Sequence, residues 1–87
     1  MQKPGIGRIV HYVQNKPAGY GEGTIHLPAI ITNVWGDTCV NLQVFTDGSN
    51  SEQGPNSNPP SVKWITSASL DDSETPNPYT WHWPERT

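Results

Sequence analysis

Three histidines are the residues of this chain that are best suited to metal or acid–base chemistry. His11, His26 and His82 are far apart in the sequence, and none lies in an HxH, HExxH or CxxC spacing that would mark a metal centre. A metal site would need a convergence that this spacing does not show. We therefore predict no metal and no cofactor, with His11 at the surface or at an interface. His82 alternates with two tryptophans, so it should point away from them, toward solvent.

The remaining candidates for catalysis are a lone thiol and a group of carboxylates. Cys39 begins an apolar segment, where a buried, inert cysteine is more common than an activated nucleophile. Asp71, Asp72 and Glu74 lie in a polar stretch that is typical of a solvated turn. The glycine-rich stretch at 19–23 lacks the lysine and the following helix of a phosphate-binding loop. We predict that the protein is not an enzyme.

Residues suited to binding a small ligand are more numerous. An arginine can hold a phosphate or carboxylate through two parallel hydrogen bonds, or form a surface ion pair. Exposed tryptophans can stack on a base, and outward amides can either contact the edge of a ligand or simply face solvent. By these criteria the candidate ligand-binding residues are Arg8, His11, Trp35, Asn41, Gln43 and Trp81.

Four strands must position these side chains. We predict these strands at residues 8–13, 29–35, 39–45 and 62–69. Gly36 and Asp37 predict a tight turn between the second strand and the third. Apolar and polar residues alternate in the third strand, which predicts that Val40, Leu42 and Val44 face the core. The fourth strand should place Val62, Trp64, Thr66 and Ala68 on one face, with Trp64 in the core.

Four or five short strands, one tight hairpin and two long loops predict an all-β fold. A small SH3-like antiparallel barrel with long Gly/Pro-rich loops fits the pattern of residues 7–70, and a small open sandwich is the alternative. We expect one domain over residues 1–87, with a disorder-prone loop at 49–60. The aromatic tail at 79–87 should pack onto the domain or onto another subunit, because a free tail of this composition would expose much apolar area.

Charge and composition restrict the partners. The net charge is -3, from eight acidic and five basic residues, which argues against duplex nucleic acid as a ligand. Only 32% of the residues are hydrophobic and there is one cysteine, so the small core lacks an intrachain disulfide, and we predict a homo-oligomer. No apolar run approaches the ~20 residues of a membrane span. A lone cysteine and an N-terminus without a signal sequence predict a cytoplasmic protein without a membrane partner.

Several segments resemble a widespread group of short phage and prophage proteins. They are residues 7–13, 28–31, 40–48 and 80–85, and the Trp-His-Trp-Pro-Glu ending and the Val-Asn-Leu-Gln-Val-Phe strand carry most of the resemblance. Small phage proteins often act against host defence, and several groups are oligomers that sequester cyclic nucleotide or cyclic ADP-ribose signals. The resemblance implies an anti-defence protein of the host cytoplasm. It assigns no ligand residue position by position.

These observations lead to one hypothesis and two alternatives. The hypothesis is a non-enzymatic phage protein that binds and sequesters a small phosphorylated signal of the cyclic-nucleotide type as a homo-oligomer. The first alternative is a protein-binding module that inhibits a host protein through its aromatic face. The second is a structural virion or assembly protein.

Sequestration of a nucleotide signal predicts a ligand-dependent gain in stability. One cyclic nucleotide or cyclic ADP-ribose isomer should raise the unfolding temperature by several degrees, because a ligand that binds only the native state stabilises it by mass action. Thermal unfolding followed by tryptophan fluorescence across a panel of such nucleotides measures this shift. Linear mono- and dinucleotides serve as controls, and the absence of any shift would favour the protein-binding alternative.

Overall fold

The computed structural model describes residues 3–16, 21–46 and 62–84. These residues form the strands β1 (Ile9–Asn15), β2 (Thr24–Val34), β3 (Cys39–Phe45), β4 (Val62–Leu70) and β5 (Thr80–His82). The strands pair in chain order and close into a barrel, so the fold is all-β, consistent with the predicted small SH3-like barrel. The predicted loop at 49–60 and the last three residues of the tail lie outside the described residues. In the described part of the chain, no helix is long and apolar enough to cross a membrane.

The first four observed strands overlap the four predicted ones, with ends that differ by one to five residues or match. β3 has the predicted bounds, whereas β1 continues to Asn15 and β2 begins at Thr24 rather than at residue 29. β2 therefore contains Pro28, which is paired with His11 of β1. The missing N–H of the proline is tolerated because pairing with β3 begins one residue later, at Ala29.

The core fills the inside of the barrel. Val40, Leu42 and Val44 have no solvent exposure, which confirms the alternation predicted for β3. β1 and β2 also contribute residues spaced by two, as expected where one face of a strand points inward, whereas β4 and β5 contribute one core residue each. The buried cluster consists of Val10, Tyr12, Leu27, Ala29, Ile31, Val40, Leu42, Val44, Ala68 and Trp81.

A β-bulge in β4 overturns the predicted placement of Trp64. Leu42 pairs with Ile65 while Val40 pairs with Ala68, so β4 has one extra residue between these two pairs. Ser67 has a φ of 54° at this point. The bulge changes the face of the strand, and Trp64, paired with outward Gln43, is 64% exposed. Trp64 is thus a surface residue, and Ala68 is buried on the opposite face.

The aromatic tail closes the barrel. β5 pairs antiparallel with β1 and parallel with β4. Trp81 has no solvent exposure, and its indole N–H donates to the carbonyl of Thr38 at 3.1 Å. The described part of the tail, residues 79–84, therefore packs onto its own domain. The expectation that Trp81 stacks on a ligand at the surface is wrong, because the side chain is part of the core.

Trp81→Ala should cost about 3–5 kcal/mol of unfolding free energy, the usual cost of truncating a buried tryptophan. Urea unfolding of the variant measures this loss. Trp64→Ala is the matched control, and it should cost less than about 1 kcal/mol because most of that side chain is already in water. Equal losses in the two variants would contradict the assignment of Trp81 to the core.

Candidate metal centre

The three histidines converge in the folded chain. The ring centroids of His11 and His26 lie 6.1 Å apart, those of His11 and His82 5.5 Å, and those of His26 and His82 4.6 Å. One nitrogen from each ring can be chosen so that all three lie within 4.8 Å of one another. The convergence that the sequence spacing did not show is therefore present.

Strand register explains this convergence. His11 in β1 is directly opposite His82 in β5. On the other side of β1, His11 is opposite Pro28 and Val13 is opposite His26. His26 is thus a diagonal neighbour of His11, at a separation that long or aromatic side chains can span. All three histidines flank inward-facing residues, so they share the outer face of β5, β1 and β2.

The burial of the cluster is graded. His82 is 5% exposed, His11 is half-buried and His26 is exposed. His82 does point to the side opposite Trp81, as alternation predicted, but its predicted exposure to solvent is wrong. The segment after β4 lies beside this part of the sheet, and it lines a cavity together with His26 and His82.

The geometry fits a tetrahedral transition-metal ion. Zinc–imidazole bonds of about 2.0–2.1 Å place neighbouring ligand nitrogens about 3.3 Å apart. The three nitrogens need to approach one another by at most about 1.5 Å, which side-chain rotation can supply. All three are imidazoles, which are common zinc ligands in their neutral form. The described residues can hold such an ion through three protein ligands.

A cavity of about 220 Å³ adjoins the histidine cluster. Its walls come from two sides: the sheet, and the segment that follows β4. The sheet side contributes His26, His82 and Trp83, and the segment contributes Asp72, Ser73, Glu74 and Pro76. The acidic stretch, predicted to be a solvated turn, therefore places two acidic residues, Asp72 and Glu74, on the wall of a cavity beside the histidines.

Asp71 shapes the segment that carries these carboxylates. Its carboxylate accepts hydrogen bonds from the backbone N–H of Asn77 at 2.9 Å, and from the hydroxyl and N–H of Ser73 at 2.7 and 3.1 Å. These bonds, with that from Asn77 first, lower the pKa of Asp71 below its ordinary value, and nearby His82 adds to the lowering. The backbone N–H of Asp71 also donates to the carbonyl of Trp81. Asp71 thus ties both ends of the turn to each other and to β5.

The far end of the segment is fixed to β1. The N–H of Tyr79 donates to the carbonyl of Val13 at 2.6 Å, and the side chain of Asn15 donates to the Tyr79 hydroxyl at 3.1 Å. Tyr79 has a φ of 70°, in the left-handed region that non-glycine residues rarely adopt. These contacts hold the segment over the outer face of the sheet.

Arg8 lies beside a wall of the cavity. Its guanidinium carbon is 5.3 Å from the ring centroid of Trp83, a distance typical of a cation–π contact. Trp83 in turn packs edge-on against Trp81, with centroids 5.4 Å apart. Arg8 is exposed, so stacking on Trp83 leaves its guanidinium in contact with solvent.

The other residues predicted to bind a ligand have structural surroundings of their own. Asn41 is 9% exposed, and its side-chain oxygen accepts from the Trp35 indole N–H at 2.8 Å and from the N–H of Ser67 at 2.9 Å. Asn41 is therefore not exposed to solvent, because it is buried and hydrogen-bonded to Trp35 and to Ser67 at the bulge of β4. Trp35 remains 63% exposed, and Gln43 is half-buried between Ile30 and Trp64. Of the six predicted residues, His11 alone belongs to the histidine cluster.

No protein-family model matches this chain, and searches of curated proteins and of solved structures find no match. The resemblance to short phage and prophage proteins therefore stays a prediction.

Asp71→Asn should lower the free energy of unfolding at neutral pH. It should also make that free energy less dependent on pH in the acidic range. Because the pKa of Asp71 is lowered by folding, its contribution is complete above the unfolded value of about 4 and is lost as the pH falls below it. Urea unfolding from neutral pH to below pH 4 measures this contribution. Ser73→Ala removes only one of the three hydrogen bonds and should show a smaller effect in the same direction. A pH profile of Asp71→Asn parallel to that of the wild type would contradict this account.

Proposed function

We propose that this protein binds a divalent transition-metal ion, of the zinc class, through His11, His26 and His82. The observation that supports the proposal most strongly is the approach of three imidazole nitrogens to within 4.8 Å. The histidines come from three strands whose register is set by the barrel. A site built on paired strands is held more rigidly than a site on loops.

The donor set favours some metals and disfavours others. Imidazole nitrogen suits zinc, copper, nickel and iron, whereas magnesium and calcium require oxygen ligands. Cys39 is half-buried and is not a member of the cluster, so the site lacks the thiolate that would favour copper(I) or an iron–sulfur cluster. Zinc or a similar borderline ion is the best match to the ligands that the described residues offer.

Metal binding would also stabilise this fold. An ion held by β1, β2 and β5 would fix the short final strand against the rest of the barrel. Small domains with limited cores often use a metal in this way. Because only 32% of the residues are hydrophobic, a contribution from a metal would matter for this small core. The gain in unfolding free energy would depend on the metal concentration and on the affinity.

Sequestration of a cyclic nucleotide by a phage-encoded homo-oligomer in the host cytoplasm stays a prediction of the sequence. The contact of Arg8 with Trp83, near the cavity, is compatible with an anionic ligand at this surface. Metal binding does not depend on that hypothesis and is the proposal that the geometry favours.

The proposal predicts stoichiometric zinc binding by protein without a polyhistidine tag. His26→Ala should weaken the affinity by more than the ~10–100-fold cost of removing a residue that only orients a ligand. Isothermal titration calorimetry with metal analysis measures both quantities. His26 is exposed, so its removal should leave the fold intact.

Zinc binding should also weaken as the pH is lowered, because the imidazoles must be neutral to bind the metal.

Cys39→Ala is the matched control, because it removes the other strong zinc ligand of the chain and should leave the affinity unchanged. Wild-type protein that remains metal-free after exposure to zinc would contradict the proposal. So would a His26→Ala variant that binds zinc as tightly as the wild type, or a loss of binding in Cys39→Ala alone.

A further inference from the structure

We infer that the metal keeps a fourth coordination position, which opens into the adjoining cavity and takes an exchangeable small oxygen or nitrogen donor from solution. This inference rests on the proposed function, because it concerns the same ion. It adds that the site is an open centre rather than a closed structural one.

The number of protein ligands is the first support. A closed structural zinc site has four protein ligands, whereas a site with an exchangeable position has three. Among the described residues, only the three histidines bring their donor atoms within 4.8 Å of one another. Asp72 and Glu74 line the neighbouring cavity without belonging to that group. The described residues thus leave one position of a tetrahedron to another ligand.

The position of the cavity is the second support. His26 and His82 are metal ligands in the proposed function and also line the cavity. An ion bound between the three rings therefore lies at the cavity wall. Solvent can reach it there, because His26 is exposed and the carboxylates of the opposite wall belong to exposed residues.

The size and charge of the cavity restrict the ligand. Its volume of about 220 Å³ lies below the ~300–1,000 Å³ of pockets that enclose drug-sized molecules. Water and donors of a few atoms fit, whereas a cyclic dinucleotide does not fit within it. Asp72 and Glu74 can accept hydrogen bonds from a metal-bound water, since ionised carboxylates are acceptors. They also disfavour anions, so water is the resting ligand that this environment selects.

Cobalt(II) absorption spectroscopy tests the inference with the full-length protein. Cobalt replaces zinc in the site, and its visible bands report the coordination sphere. Added azide should change these bands in a saturable way, with one azide per cobalt. The original spectrum should return when azide is removed by dialysis, which shows that the metal was not extracted.

Two variants with matched charge changes test the role of the cavity wall. Glu74→Gln should raise the azide affinity a few-fold, because it removes a negative charge near the incoming anion. Glu22→Gln is the control, since Glu22 is exposed and does not line the cavity, and it should leave the azide affinity unchanged.

The outcomes separate this inference from the proposed function. Cobalt that binds with unchanged bands at saturating azide would overturn the open position and leave metal binding intact. Cobalt bands that differ between Glu74→Gln and the wild type before azide is added would also overturn it, because Glu74 would then be the fourth ligand. Failure of cobalt and zinc to bind at all would overturn the proposed function and this inference together.

Discussion

The placement of β5 between β4 and β1 is the constraint on which the rest of the structure depends. Trp81 enters the core from this three-residue strand and has no solvent exposure. Because side chains alternate along a strand, an inward Trp81 requires an outward His82. The register with β1 then sets His82 opposite His11. One strand therefore completes both the hydrophobic core and the histidine cluster.

The same strand explains the cover over the cluster. β5 runs parallel to β4, so the chain must return along the sheet before it can pair. The residues between the two strands make this return across the outer face, where Asp71 and Tyr79 fix their ends by hydrogen bonds to Trp81 and Val13. Asp72 and Glu74 come to lie on the cavity wall as a result. Topology thus determines which polar residues meet the histidines.

The local sequence pattern predicts the first four strands, but it does not predict which residues of different strands come into contact. The alternation in β3 follows from its sequence, because one face of the strand is wholly apolar. Trp64 was misplaced because the bulge near Ser67 reverses the inward face of β4, and the alternation of β4 does not reveal a single extra residue. β5 has three residues, which are too few to show the alternation of apolar and polar side chains that predicts a strand. The histidine cluster depends on the register of three strands, which residue spacing along the chain does not encode.

X-ray absorption at the zinc edge tests the central claim most directly, because it identifies the atoms bound to the metal. The stoichiometric zinc complex of untagged protein should show three imidazole nitrogens at about 2.0–2.1 Å, with the outer-shell scattering that identifies histidine rings. A first shell of oxygens alone, or one containing sulfur from Cys39, would contradict the account. Either result would place the metal away from the three strands that bring the histidines together.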